Sequence, residues 1–539
     1  MRVLTHVECP SGVIKYLKDV VNAFDFVIIV LSIALTVVVF VLPDLLLSAK
    51  EGLSLVPLTR AAKVARLLRV VLIMTRMQRS RSRYRRNKMV GFAAPVEKVF
   101  EIIGDLRRKD NLHPEDDRAL ALTMDLIAKE ELHKVNFTDS KQLQGVHLTT
   151  EMTDWLRSNL RTTLPSGPLR NSTDKALRIS AQATRAQADE RQGELQFLSS
   201  PVPAWIARPI DEASIVSVLG KMHEWDFDVF TLDEMTHGHP LVVGGIHLFS
   251  SMGVLEQIPV PKEKLATFLQ CIERGYVASN PFHNALHAAD VMFTTHYFMQ
   301  SPLLRGMTGA LDKFTAVLAG ALHDFAHPGV SNAFLVATRS ETAVMYNDLS
   351  VLEMFHVSGA FRVMLSTAGC DLAEFMSRDQ FRQFRETLVS MVLSTDLKLH
   401  FEHLGRLKAR LATDAYASVE RKDVLLLLGQ ALHAADISNP AKPRVMQLRW
   451  TERVMKEFWK QGDQELSFGL PISAFMDRRQ PQVPQCQIGF ITVLVKPLFI
   501  EWHKLLGDVT QPAIDCIEDS LKLWREEGSN IVVGWESEE

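Results

Sequence analysis

Four short segments of this chain set histidine beside aspartate in otherwise apolar surroundings. In PFHNALHAADV, His283, His287 and Asp290 recur at i, i+4 and i+7, which puts them on one face of a helix. In LAGALHDFAHPG an apolar helical run ends by presenting His323 and Asp324 side by side, with His327 just ahead of Pro328. VLSTDLKLH carries Thr395 and Asp396, and GQALHAADISNPAKP carries His433 and Asp436. A carboxylate in so apolar a helix is costly to bury without a partner or a cation. Imidazole and carboxylate together suit zinc, and a second position richer in carboxylate and water suits magnesium or manganese. One aspartate shared by both ions would hold them at the spacing that activates a water between them. Taken singly, each segment is weak evidence: a histidine pair at i, i+4 is more often part of a satisfied core than a ligand pair.

Taken in order, the segments resemble a known signature. HNALHAADV, HDFAHPGVSN, MYNDLSVLE, STD, ADISNPAKP and QCQIGF look like the motifs of the class I 3',5'-cyclic nucleotide phosphodiesterases. The similarity runs from about Trp205 to Asp508 and takes in WDFDVF at Trp225 and QGDQELSFGLPIS at Gln461. The calmodulin-stimulated and cAMP-specific branches are nearest in texture. The resemblance implies His287, His323, Asp324 and Asp436 as zinc ligands, with Asp324 bridging to magnesium (or manganese). His327, Glu353, Thr395 and Asp396 would hold the waters of that second ion. His283 matches the family's general acid, which protonates the departing 3' oxygen of the cyclic phosphate.

The resemblance also implies where the base sits. Gln487 matches the purine-selecting glutamine, Phe490 would stack on the purine and Val454 would close the other side of the slot. Asn439 stands where adenine-preferring branches have Asn before Pro, which favours cAMP. Gln447 stands where a cAMP-specific relative has a tyrosine, a departure that keeps cGMP open as a substrate. Phe282 replaces the commoner tyrosine before HN. The implied activity is hydrolysis of cyclic nucleotides to 5'-nucleoside monophosphates. Two alternatives remain: an HD-type phosphohydrolase of another nucleotide, and a catalytically silent cyclic nucleotide receptor. The pair Gln487 and Phe490 argues against the first, and the intact set of His283, His287, His323, Asp324 and Asp436 against the second.

These residues need helices to position them. From Trp205 to the C-terminus apolar residues recur at i, i+3 and i+4, as in LDKFTAVLAGALHD, with few alternating segments. The expected fold is all-α, a multi-helix HD-type catalytic domain over 205–539. Residues 89–164 show helical spacing at Val96, Val99, Phe100 and Ile103 and are expected to form a helical coupling segment. The stretch 165–204 is polar and bounded by Pro, Gly and Ser, as a linker is.

Residues 1–88 have a different character. FVIIVLSIALTVVVFVL, from Phe26 to Leu42, carries no charge, and as a helix it covers roughly 25 Å of a ~30 Å hydrocarbon core. After Pro43 a second apolar run carries Arg60, Lys63, Arg66 and Arg69 at every third position. Helices over about 20–48 and 56–77 would form a transmembrane hairpin. Lys15, Lys18 and the cluster Arg76 to Lys88 would then lie on the cytosolic side, with the catalytic domain. The alternative for the second helix is an interfacial anchor lying in anionic headgroups. The pair resembles the third and fourth helices of a voltage-sensor domain, with Asp25 as a countercharge. That likeness covers about eighty residues and lacks the first two helices of a complete sensor.

The bulk numbers fit this division. The chain has 539 residues, 47% of them hydrophobic and 23% charged, which is the balance of a folded protein. A net charge of −3 gives no reason to expect nucleic acid as a partner, whereas the acid-free run Arg60 to Lys88 suits an anionic lipid membrane. Cys9, Cys271, Cys370, Cys486 and Cys516 lack any close pairing and read as reduced cytosolic thiols. No removable secretory signal is expected. Monomer and homodimer are both open, and the sequence names no regulatory partner.

Overall fold

The computed structural model describes residues 149–160, 212–411, 420–528 and 530–531, with scattered positions between 103 and 123. The chain divides into two compact units, Met1–Leu132 and His133–Glu539. In the first, the described positions are helical; Ile103 is buried and Arg107 pairs with Asp117 at 2.6 Å. The expected membrane helices, the basic cluster and the linker lie outside the described residues.

The second unit is helical, and no strand occurs among its described residues. Its centre is a stack of three nearly all-apolar helices. Ala285–Met299 packs against Ala310–Leu322, and both pack against Arg421–Asp436. Local chemistry sets their ends. The Asn284 side chain caps the first by accepting from the backbone N–H of Leu286 (3.0 Å) and His287 (3.4 Å), so the helix starts two residues after His283. The second runs from Ala310 to Leu322 and delivers His323 at its C-cap. The third ends on Asp436, ahead of the Asn439–Ala441 turn that contains Pro440.

Gly320 lets the first two helices close on each other. A Cβ there would lie 2.6 Å from Cα of Met292, inside the neighbouring backbone. Val291, Met292, Ala316, Val317 and Leu318 fill the crossing and are fully buried. Each large side chain withdrawn from water in this way contributes about 1.5–3 kcal/mol.

Two further helices flank the stack: Val351–Ser366, and the long Arg444–Ser467 that brings Glu457 inward. The C-terminal run Val483–Glu526 is long and apolar enough to span a bilayer, but its most apolar stretch is 56% buried within the unit. Trp502, Trp524 and Phe499 there belong to the core. The helix Thr150–Leu160, which the spacing assigns to a coupling segment, packs in this same unit against Val483–Phe490 and Asn332–Ala337.

Candidate metal centre

Three helix ends meet at one point, and each brings a ligand-type atom. His287 Nε2 lies 3.1 Å from Asp436 Oδ1 and 3.5 Å from Asp324 Oδ2. His323 Nε2 lies 3.2 Å from Asp324 Oδ2 and 3.4 Å from Asp436 Oδ1. Tetrahedral ligands about 2.0–2.1 Å from zinc stand roughly 3.3 Å apart, so this spacing fits one ion among four atoms.

The tautomer supports the fit. His323 Nδ1 donates to the Gly320 carbonyl at 2.9 Å, which leaves the lone pair on Nε2, a buried atom with no hydrogen-bond partner. Burial opposes charge on His323, yet Asp324 and Asp436 raise its pKa well above the ordinary imidazole value. Burial likewise opposes charge on the two carboxyls, but the imidazoles hold both well below the usual range. A site with this charge balance attracts a cation and exchanges protons for metal.

A second group adjoins the first: Asp324, His327 and His356 bring ligand-type atoms within 4.8 Å of one another. His356 Nδ1 donates to the Phe325 carbonyl at 2.7 Å, and its bare Nε2 stands 3.7 Å from Asp324 Oδ1. His327 is different, because its Nδ1 accepts from the Gly329 backbone N–H at 3.0 Å. The proton of neutral His327 is therefore on Nε2, a donor suited to a water rather than a ligand to metal. Gly329 adopts φ +74, and a Cβ on it would meet Asn280 Oδ1 at 2.7 Å.

Two buried acids face the same cleft. Glu353 is held by Asn332 Nδ2 at 3.1 Å to both oxygens, and burial with the charge of Asp396 pushes its pKa up to about 8. Asp396 accepts from Ser350 Oγ at 2.7 Å and from the Lys398 N–H at 3.0 Å. Thr395 lines the cleft and donates its hydroxyl to the Val392 carbonyl at 2.8 Å.

His283 sits at the mouth of the cluster, its Nε2 3.9 Å from Asp324 Oδ2. Its Nδ1 is paired with Glu457, which also accepts from the backbone N–H of His283 and Phe282, both at 3.0 Å. Burial alone would lower the His283 pKa, but the charge and hydrogen bond of Glu457, with Asp324 and Asp436, raise it to about 9. His283 is thus protonated at neutral pH, with Nε2–H aimed into the cleft. The His327 ring stacks on it at 3.9 Å, and burial, with the charge of His283, lowers the His327 pKa well below the ordinary imidazole value.

Residues 282–517 match the 3'5'-cyclic nucleotide phosphodiesterase family. The chain is 32% identical over 381 residues to a human dual specificity calcium/calmodulin-dependent 3',5'-cyclic nucleotide phosphodiesterase 1C, covering 69% of this chain and 51% of the relative. It is 34% identical over 330 residues to isoform F of a Drosophila melanogaster 3',5'-cyclic-AMP phosphodiesterase, covering 60% and 50%. A mouse 3',5'-cyclic-AMP phosphodiesterase 4C is 33% identical over 341 residues, covering 62% and 50%. The chain spans about half the length of the relatives it matches.

Not every residue singled out from the sequence meets at this centre. Asp290 faces the other way, 3.3 Å from the buried Lys442, and His433 pairs with His400 at 2.9 Å. Asn439, Val454, Gln487 and Phe490 do not line the cleft that holds His283, Asp324 and Asp436. Gln447 is buried and accepts from Ser520, so it does not occupy the locking role of a tyrosine beside Gln487.

Glu457, His356 and Asn332 are the site residues that spacing did not single out. Glu457 lies in TERVMKEFWK, which reads as an ordinary charged helix. Only its burial, 4% exposed, marks it.

Proposed function

We propose that this chain hydrolyses 3',5'-cyclic nucleotides to 5'-nucleoside monophosphates at a two-metal site, with cAMP favoured. The observation that carries the reading is the meeting of four ligand-type atoms, from His287, His323, Asp324 and Asp436, beside a protonated His283. Zinc suits the first group and magnesium or manganese the second, where His327, Glu353, Thr395 and Asp396 offer water-holding oxygens and a donor. Metals held there would polarise the cyclic phosphate and make a water nucleophilic near neutral pH.

The chain's own residues do the rest. When the water oxygen bonds to phosphorus, the bond from phosphorus to the 3' oxygen breaks and that oxygen takes the Nε2 proton of His283. Glu457 keeps the ring oriented and stabilises its charged form until transfer. His283, Asp324 and Asp436 line one cleft, and in this reading the cyclic phosphate sits there. For the base, Gln487, Phe490 and Val454 form the slot in this reading. Asn439 Oδ1 is buried without a partner, an acceptor that the adenine amino group would satisfy. In the same reading, residues 1–88 hold the enzyme at a membrane with the catalytic domain in the cytosol.

The deciding experiment assays the full chain on cAMP and cGMP side by side with metals replete. Release of 5'-AMP that is reversibly lost on chelation is expected. Turnover of neither nucleotide, with binding retained, would make the chain a receptor instead.

A further inference from the structure

We infer that Cys271 and Cys370 are a redox pair, which hydrogen peroxide joins in a disulfide that staples together two of the elements framing Asp324. The cysteines are 99 residues apart in sequence, yet the Cys370 thiol donates to the Cys271 sulfur at 3.3 Å. Both are free thiols buried in the core. Disulfide sulfurs lie about 2.05 Å apart, so the bond asks for roughly 1.2 Å of approach. The packing around them favours that approach. The helix Lys262–Gly275 lays Lys264, Thr267 and Cys271, at i, i+3 and i+7, along the segment from Gly369 to Phe375. Lys264 reaches Glu374 at 3.3 Å and lies 5.7 Å from the centre of the Phe375 ring. A Cβ on Gly369, which adopts φ +83, would meet Thr267 Cγ2 at 3.3 Å. Cys370 itself sits in a turn, its N–H donating to the Thr367 carbonyl at 3.0 Å, so its sulfur can move without bending a helix.

The two thiols are not equivalent. The hydrogen bond from Cys370 holds the Cys271 thiol below its ordinary pKa against the effect of burial, with help from the charge of Arg274. The same hydrogen bond, with burial, pushes Cys370 up. Cys271 is therefore the attacking sulfur. Its thiolate bonds to one peroxide oxygen, the O–O bond breaks, and the departing hydroxide takes the proton that Cys271 released and leaves as water. The Cys370 sulfur then bonds to the Cys271 sulfur, the S–O bond of the sulfenic acid breaks, and its hydroxyl leaves as a second water with the Cys370 proton. Two thiols are oxidised to one disulfide and one peroxide is reduced to two waters. A pair that rests reduced and closes reversibly is the form that disulfides take in the cytosol.

The bond closes on the metal layer. The Phe325 ring, next to Asp324, lies between Gly275 and Gly359: a Cβ on Gly275 would run into Phe325 Cε2, and one on Gly359 would lie 3.0 Å from Phe325 Cδ1. Gly275 ends the helix that carries Cys271, and Gly359 lies on the helix Val351–Ser366 just ahead of Cys370. Beside Gly275, the Tyr276 hydroxyl donates to the Ala321 carbonyl at 3.1 Å, two residues before His323. The cross-link ties both jaws around Phe325, and the loop it closes contains His283, His287, His323, Asp324, Glu353 and His356. Closing so long a loop restricts the unfolded chain and suppresses openings of the layer. Its effect on a bound ion rests on the metal reading above; the formation of the bond does not.

The test treats the full chain with hydrogen peroxide and maps its peptides without reduction. Cross-linked peptides carrying Cys271 and Cys370, lighter by two hydrogens and separated again by dithiothreitol, are expected. Two free thiols, or oxidation of either to the sulfinic acid with no cross-link, would overturn the pair. Oxidation should raise the melting temperature of the parent chain by about 5 °C and reduction should restore it, a comparison that needs no variant to fold. A cross-link with an unchanged melting temperature would overturn the staple. Cys370→Ser should show neither the cross-link nor the rise, and a rise that persists in it would assign the effect to another thiol. In zinc-loaded protein, release of the metal to a chelator should slow several-fold on oxidation, and equal rates would reject the effect on the metal layer. A chain that takes up zinc in neither state would reject the metal reading instead, with the cross-link decided by the peptide map.

Discussion

Glu457 grips His283 by both its ring and its backbone, while the next N–H, that of Phe282, completes the hold on the same carboxylate. The acid sits on a helix 174 residues away in sequence, so His283 is oriented by tertiary packing rather than by its own segment.

This pairing sets an alkaline limit on activity. A general acid works only while protonated, so turnover falls as pH rises through its pKa. With Glu457 charged, that limb should lie above the ordinary imidazole value. Glu457→Gln removes the charge but keeps the shape, and the limb of kcat should move down towards the ordinary imidazole value of about 6.5. Identical limbs in the two proteins would detach His283 from Glu457. His283→Ala should lower kcat by roughly 10² to 10⁴ with metal content intact. A substrate with a better leaving group than the ribose 3' oxygen should lose much less. Equal losses would make His283 structural.

Asp436→Ala and His323→Ala each remove one of four converging ligand atoms. Activity should fall below about a few per cent and metal content, read by mass spectrometry of the purified protein, should fall with it. Full metal occupancy with lost activity would assign these residues a different role. His433→Ala is the control, because that ring points to His400 and away from the cluster. It should alter stability and leave bound metal in place.

The helical class is legible in runs such as LDKFTAVLAGALHD, where the period of the apolar residues is that of a helix. The metal cluster is legible for a related reason: an acid at the end of an apolar helix has few explanations, and three such ends in one chain have fewer. Glu457 is not legible, since an acid on a charged helix looks solvated until distant helices bury it. Asp290 misleads in the opposite sense. It shares its face with His283 and His287 by spacing, yet Lys442, far along the chain, neutralises it. The position of Trp155 over Phe490 is a contact between segments more than three hundred residues apart, which no local pattern encodes.

Gly320 connects the fold to the metal. It lies three residues before His323, where the two central helices approach so closely that a methyl group would enter the backbone of Met292. Gly320→Ala should cost about 1–3 kcal/mol of stability by forcing the helices apart. The same displacement moves His323 away from His287, so metal affinity should drop in parallel with the melting temperature. Loss of stability with undiminished metal affinity would show that the crossing and the site are independent.

The proposed membrane attachment rests on the apolar run Phe26 to Leu42 and the basic stripe Arg60 to Arg69. A transmembrane hairpin is held by apolar burial in lipid, which ionic screening does not weaken, so the full chain should stay in the membrane fraction through washes of high salt or alkali. An interfacial anchor held through Arg60 to Lys88 should be released as salt shortens the reach of its charges. Release of most of the protein at high salt would therefore rule out the hairpin. If the protein stays, the stripe can be tested for response to voltage, since moving one charge through 100 mV is worth about 2.3 kcal/mol. Neutralising Arg66 and Arg69 should then shift the voltage dependence of cyclic nucleotide hydrolysis in intact membranes. A passive anchor gives the same rate at every potential, in the parent chain and in the variant alike.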